Sequence, residues 1–290
     1  MSTIQWYPGH MAKTKRLLSE NLKLVDLVIE VLDSRIPKSS RNPDFNKLLA
    51  DKKRIILLNK EDLADPKISL LWREYFTRND TEAIFTNLKT GNGLKSIREA
   101  LKRISVDKIA RQASKGVKNR PVRVMIAGIP NSGKSTLINM LAGRSSAKTG
   151  DIPGVTKSKQ WVRLDGGIDL LDTPGILWPK FEDEKTALNL SFTGAIKDSI
   201  TDTTEIAEKL LRQILLSYPG CLITRYKISL QETDEYSNEI REYMLLDAVA
   251  RKRGFLLPGG EVDLNRASTI VLDEFRAAKI GRISLEEPPS

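Results

Sequence analysis

Eight consecutive residues of this chain, Gly128-Ile-Pro-Asn-Ser-Gly133-Lys134-Ser135, have the spacing of a phosphate-binding loop, G-x-x-x-x-G-K-[ST]. The residue types follow from the task. Glycines let the backbone curl so that its N–H groups face an anion, and the helix N-terminus that follows adds partial positive charge. Asn131, Ser132 and Thr136 complete the expected cradle. Lys134 would reach the β- and γ-phosphates, where it also serves catalysis, and the Ser135 hydroxyl would bind Mg²⁺. The pattern points to a nucleoside triphosphate.

A second pattern selects the base. Asn59-Lys60-Glu61-Asp62 reads N-K-x-D. The Asp62 carboxylate can accept from the guanine ring N1–H and the exocyclic amine, while Asn59 and Lys60 are expected to brace the base and the phosphate loop. Adenine presents the opposite donor–acceptor order on that edge, so the expected ligands are GTP and GDP. Asn87-Leu88-Lys89 stands where guanine-binding chains usually read S-A-K. The match is weak, but a backbone N–H offered to the guanine oxygen tolerates a change of side chain. In Asp172-Thr-Pro-Gly175 the Asp would hold Mg²⁺ through water and the Gly175 N–H would sense the γ-phosphate. Thr156, in Asp151-Ile-Pro-Gly-Val-Thr156, is the expected second Mg²⁺ ligand, in a loop (145–160) expected to order only when the γ-phosphate is present.

Strand ends must carry these groups. The apolar runs Leu27–Asp33, Arg54–Leu58, Ala83–Thr86 and Val122–Ala127 read as strands, and Gln160–Leu164 with Gly167–Leu171 reads as a hairpin. Helices are expected over Lys13–Lys23, Leu94–Ile104, from Thr136 onward, and over Thr203–Ser217, Tyr236–Arg253 and Asp263–Ala278. The fold class is therefore α/β: a P-loop GTPase domain with a mostly parallel sheet and flanking helices over 1–179, then a smaller all-α C-terminal domain over 180–290. Between Lys102 and Arg123 lies a basic linker with eight Lys+Arg against Asp107 alone, either a solvated interdomain helix or a contact to a phosphate backbone.

The motif order is unusual. Small GTPases run phosphate loop, switch Thr, Asp-x-x-Gly, Asn-Lys-x-Asp, S-A-K loop; here the last two come first. A complete domain then requires circular permutation, with the basic linker spanning the old termini.

Composition bounds the rest. The 290 residues carry 47 Lys+Arg against 37 Asp+Glu, a net charge of +10, with one cysteine (Cys221) and one histidine (His10). Residues 1–179 hold +14 and residues 180–290 hold −4. That imbalance suits a polyanionic partner for the first part. One cysteine excludes a disulfide framework and a Cys-cluster zinc site, and no apolar run approaches a membrane span. A cytoplasmic monomer with no membrane partner is expected.

In its permuted order, in Trp6-Tyr-Pro-Gly-His-Met-Ala-Lys13, in Gly-Ile-Pro-Asn131-Ser-Gly-Lys-Ser and in Asp-Ile-Pro-Gly-Val-Thr156, the chain resembles the ribosome biogenesis GTPase A (RbgA/YlqF) family of circularly permuted GTPases. The resemblance covers the whole length. It implies a GTPase for late assembly of the large ribosomal subunit, with rRNA and ribosomal proteins of the precursor as partners and hydrolysis stimulated by the particle. Ras-like enzymes place a Gln after Asp-x-x-Gly to orient the attacking water; Ile176 and Leu177 stand here. The resemblance therefore implies that His10 supplies that function, as a neutral imidazole that orients the water or accepts its proton. Asn131 resembles the asparagine of potassium-activated GTPases, which implies K⁺ as an activator. The competing readings are a GTP-dependent adaptor that does not act on ribosomes and an unrelated P-loop ATPase or kinase.

Overall fold

The computed structural model describes residues 16, 18–43, 48–49, 52–79, 81–114, 116, 120–143, 160–173, 183–228 and 242–289. Six strands form one sheet: β1 (Leu27–Asp33), β2 (Lys53–Asn59), β3 (Ala83–Thr86), β4 (Val122–Gly128), β5 (Gln160–Leu164) and β6 (Ile168–Asp172). Their spatial order is β3-β2-β1-β4-β6-β5. Every pair is parallel except β5 with β6, which form the expected hairpin.

The strand sequences explain why the sheet is covered on both faces. β1 is buried along its full length, and alternate residues serve opposite sides, as strand geometry requires. Leu27, Ile29 and Val31, with Ile55, Leu57, Val124 and Ile126, pack against helices α2 (Leu94–Ala113) and α3 (Lys134–Ala142) through Ile97, Leu101, Leu137 and Ile138. The alternate residues Leu32, Ile56 and Leu58 meet Trp72 and Phe76 of α1 (Pro66–Arg78). Val28, Met125 and Leu171 meet Leu18 and Leu22 of a helical segment at 18–22.

The permutation is visible as topology. β4 carries the phosphate loop and lies in the middle of the sheet, yet it is the fourth strand of the chain. The chain reaches it from the edge strand β3 through α2, whose 20 residues reach ~30 Å at 1.5 Å per residue. α2 runs through Ala113, so most of the segment expected as a basic linker is helix. Several of its charges have acidic neighbours: Arg103 pairs with Glu82, and Lys108 and Arg120 both approach Asp26. The strand order is thus that expected of a circularly permuted phosphate-loop domain, followed by a helical C-terminal region.

That region contains α4 (Glu184–Phe192), α5 (Thr203–Ser217), α6 (Pro219–Tyr226), α7 (Glu242–Lys252) and α8 (Leu264–Arg276). Aspartates cap the starts: Asp183 accepts from the Lys185 amide, Asp202 from those of Thr204 and Glu205, and Asp263 from that of Arg266. The apolar stripe of α5, Ile206, Leu210, Ile214 and neighbours, forms the centre of a core shared with α6, α7 and α8. α1, α4 and α6 were not anticipated from sequence. Each is short or follows a proline, which placed it beneath the periodicity signal.

After α8 the chain forms a strap over 280–289 that crosses back to the sheet domain. Its Glu286 carboxylate accepts from the backbone amides of Lys38 and Ser39, from Asn189 Nδ2 and from the Ser39 hydroxyl. The Trp72 indole donates to the Glu286 carbonyl at 3.1 Å. Among the described residues no helix is long and apolar enough to cross a membrane.

Candidate functional site

Parallel strands with helices on both faces leave one open crevice, at the carboxyl ends of the strands where the strand order reverses. Gly128, Asp33, Asn59, Thr86 and Asp172 are the last residues of β4, β1, β2, β3 and β6, so the chemistry-bearing residues share that edge. Register sets their heights: Asp33, Asn59 and Thr86 are level, Gly128 is level with Val31, and Asp172 with Ile126, so the edge steps down by two residues at β4 and by two more at β6.

The phosphate loop is built as its sequence requires. A Cβ on Gly128 would run into the Val31 carbonyl and the Ser132 hydroxyl, and one on Gly133 into the Asn59 amide. Gly133 also has φ 107° and opens α3. Asn131 adopts a left-handed conformation, φ 58°, and its Nδ2 donates to the Gly194 carbonyl of the helical region at 2.9 Å. The Ser132 hydroxyl is buried with no hydrogen-bond partner among the described residues. Lys134 is buried and donates to the loop's own Ile129 carbonyl at 2.7 Å. Burial pulls its ammonium down to about 8, against the attraction of Asp172 and with help from Lys60. A buried lysine so far below its ordinary value gains charge when an anion arrives. An orphaned hydroxyl, a cradle with no room for side chains and an under-compensated lysine all fit a bound phosphate chain.

Asn59 ties this loop to the base-reading segments. Its Nδ2 donates to the Ser132 carbonyl at 2.7 Å, and its Oδ1 accepts from the Leu88 amide at 3.0 Å and the Thr86 hydroxyl at 3.2 Å. Asn59 therefore joins the end of β2 to the phosphate loop. The Leu88 N–H, one of the backbone donors of the Asn87-Leu88-Lys89 loop, is engaged by Asn59. Asn87 folds back on itself, its Oδ1 accepting from the Lys89 and Thr90 amides. Asp62 lies exposed on the 3₁₀ turn Glu61–Leu63 and lines, with Asn87, Thr90, Asn92 and Arg282, a recess of about 440 Å³.

The Lys60 ammonium reaches Asp33 Oδ2 at 2.8 Å, from a backbone at φ 62°. Asp33 also accepts from Arg35 Nη2 at 2.8 Å and from Arg35 Nε at 2.9 Å. Burial alone would push the Asp33 carboxyl up, but Arg35 and Lys60 together hold it far below the usual carboxylate range. Burial, reinforced by Arg35, lowers the Lys60 ammonium. Arg35 is 1% exposed and lies over the Phe275 ring of α8, 5.3 Å from its centroid. Sequence reasoning missed this triad. The available signal was an aspartate closing a mostly apolar strand.

Asp172 is nearly buried at the end of β6, and burial raises its carboxyl against the pull of Lys134 and the Thr173 amide. Thr173 donates to the Ile126 carbonyl at 2.5 Å, which fixes the start of the Asp-x-x-Gly turn against β4. Ser135 and Thr136 occupy the first turn of α3. A divalent cation fits here by donor chemistry: one hydroxyl and one carboxylate at the same strand-end edge, both hard oxygens. His10, Thr156 and Gly175 lie outside the described residues.

Several known proteins are similar to the chain over nearly its full length. Residues 123–243 match the family described as "50S ribosome-binding GTPase". The chain is 46% identical to Ribosome biogenesis GTPase A of Priestia megaterium over 287 residues, 99% of this chain and 97% of that one. It is 35% identical to the protein of the same name in Thermotoga maritima, over 98% and 95%. Two solved structures are similar at 29% identity. GNP-bound YlqF from T. maritima has a TM-score of 0.64, covering 96% of this chain and 99% of that chain; the GDP-bound form has 0.65, covering 94% and 99%. With a guanine-type Asn59–Lys60–Asp62 turn tied to a phosphate loop, and with these relatives, the chain is a GTPase that belongs to the ribosome biogenesis GTPase A family.

Proposed function

We propose that this GTPase acts in ribosome biogenesis, as a switch on a precursor of the large ribosomal subunit. The observation that carries the nucleotide part is the Asn59 bridge: one buried side chain joins the base-reading turn, the Thr86–Leu88 loop and the phosphate loop. The ribosomal part rests on the relatives, which are named for ribosome biogenesis.

In this reading residues 1–179 form the GTPase domain and residues 180–290 a helical domain that contacts rRNA. Asp62 reads the guanine edge, with Asn59 and Lys60 beneath it and the Asn87–Leu88 backbone beside the base. Gly128, Asn131, Ser132, Gly133 and Thr136 hold the phosphates. The Lys134 ammonium leaves the Ile129 carbonyl for the β- and γ-phosphates and offsets charge as the γ-phosphoryl is transferred to water. A magnesium ion bound with the nucleotide would neutralise phosphate charge, and Ser135, Thr156 and Asp172 are the residues to hold it. His10 orients the attacking water, a role that apolar Ile176 and Leu177 cannot take. The Thr156 loop and the Gly175 turn respond to the γ-phosphate, so the GTP form presents a surface that the GDP form lacks. Asn131 Oδ1 remains available to a K⁺ ion, its Nδ2 being bonded to Gly194. The +14 charge of residues 1–179 supplies much of the attraction to RNA. The protein works as a cytoplasmic monomer.

Co-sedimentation with large-subunit precursors in a GTP analogue, and release in GDP, is the expected result. Equal association in both nucleotides, or none in either, would move the protein to the class of GTP-dependent adaptors that act elsewhere.

A further inference from the structure

The turn that presents Asp62 is held from a distance of more than two hundred residues. Arg282, in the C-terminal strap, donates through Nε to the Ala64 carbonyl at 2.9 Å and through Nη2 to the Glu61 carbonyl at 2.7 Å. The Ile283 amide donates to the Leu63 carbonyl at 3.2 Å, and the Ser284 hydroxyl accepts from the Asp65 amide at 3.1 Å. Every residue from Glu61 to Asp65 except Asp62 thus has a backbone group bonded to the strap. Asp62 alone is left free, exposed in the recess that Arg282 also lines.

A turn of this kind needs such support. Within it, only the Leu63 amide to the Lys60 carbonyl and the Ala64 amide to the Glu61 carbonyl are closed internally. One isolated helical turn fixes several dihedrals for very few bonds and does not persist alone. The strap is itself anchored. Leu285 donates to the Arg35 carbonyl at 2.9 Å, Tyr218 donates to the Ser284 carbonyl at 3.2 Å, and the Ile283 side chain is fully buried. The fork of a guanidinium matches two neighbouring carbonyls in a way that a lysine cannot.

We propose that Arg282 is a positioning residue for guanine selection: by clamping the Glu61–Ala64 turn it aims the Asp62 carboxylate at the base. The inference rests on the reading of Asp62 as the guanine acceptor. Its removal loosens contact with the exocyclic amine, which guanine has and hypoxanthine lacks, while phosphate binding is common to both nucleotides. The ratio of GDP to IDP affinity therefore reports Asp62 geometry, and a general weakening of the fold does not move it.

The test is calorimetric titration of the full chain with GDP, IDP and XDP, for wild type, Arg282→Ala, Arg282→Lys and Asp62→Asn. Both Arg282 variants are expected to lose about three- to tenfold of the GDP-over-IDP preference, the worth of one hydrogen bond imperfectly made. Should Arg282→Ala fail to fold, Arg282→Lys, which keeps the cation and loses the fork, decides. A preference unchanged in the folded Arg282 variants overturns the inference, whether GDP and IDP weaken together or not at all. Asp62→Asn tests the reading beneath it, because an amide can donate to the 2-oxo group of xanthine. If Asp62→Asn gains no preference for XDP, that reading and the inference both fall. If it does gain one and the Arg282 ratio stays fixed, only the inference falls.

Discussion

The side-chain amide of Asn59 donates to the Ser132 carbonyl at 2.7 Å, across 73 residues of sequence, and so makes the base-reading turn and the phosphate loop one body. Asn59→Ala leaves the Ser132 carbonyl, the Leu88 amide and the Thr86 hydroxyl without this partner in a buried place. A stability loss of about 3 kcal/mol is expected, since unmet buried groups cost about 1–3 kcal/mol each and partly relax. Urea unfolding of the nucleotide-free protein measures it, and GDP affinity should fall with it. A variant as stable as wild type would show that the bridge carries no energy.

The depressed Lys134 makes nucleotide affinity depend on pH. In the free protein its ammonium titrates at about 8. In the complex it faces phosphates and stays charged, so above that pH binding must take up a proton. Affinity is then constant below about pH 8 and weakens as pH rises, by up to about tenfold per unit. Titration of GDP in buffers of different ionisation enthalpy counts the proton taken up. Proton release in that range, or none, would contradict the assignment. Folding of the free protein has the opposite trend: the unfolded lysine keeps its proton longer than the folded one, so stability rises with pH above about 8.

Asp33, Arg35 and Lys60 form an ion cluster beneath the base-reading turn, with Asp33 and Arg35 each 1% exposed. Asp33→Asn leaves the Arg35 guanidinium buried without its counter-charge, a change that costs about 3–5 kcal/mol in comparable sites. Because the Asp33 carboxyl is held far below the carboxylate range, its stabilising contribution is fully present above the unfolded carboxylate value, falls progressively as pH drops below that value, and is gone once the folded value is passed in strong acid. Thermal melting across pH should therefore show a wild-type-to-mutant gap that persists well into acid. A gap that narrows from the ordinary carboxylate range downward is expected; one that has closed completely within that range would mean that the cluster does not hold Asp33 charged.

The motifs and their permuted order were legible because each lies within a few residues of sequence and is punctuated by glycine or proline. The central strands were legible because they are buried and mostly apolar, with a single charged residue inside β1 (Glu30) and β4 (Arg123). What sequence could not show is pairing across long separations. Nothing local marks Lys60 as the partner of Asp33, or Arg282 as the clamp on Glu61 and Ala64. The strap at 280–289 carries neither helical nor strand periodicity, so its role exists only in the tertiary contacts. For the linker from Lys102 the sequence left a solvated interdomain helix and a phosphate-backbone contact both open, and α2 continues through it to Ala113.

Asn131 links the nucleotide edge to the helical region through Gly194, whose position is bounded by the Arg276 side chain. Arg276 in turn donates to the Phe192 and Ser191 carbonyls and pairs with Asp198. Asn131→Ala removes both the Gly194 contact and the oxygen proposed for K⁺. GTP hydrolysis by this variant is expected at the same rate in K⁺ and Na⁺, with wild type faster in K⁺. Retained K⁺ stimulation in the variant would remove Asn131 from the cation site.

Single-turnover GTP hydrolysis, with and without large ribosomal subunits, for wild type and His10→Ala, tests the account most directly. The account predicts that subunits accelerate the wild type and that His10→Ala still binds GTP but loses the acceleration. Subunits that leave the wild-type rate unchanged would contradict a switch driven by the ribosomal particle.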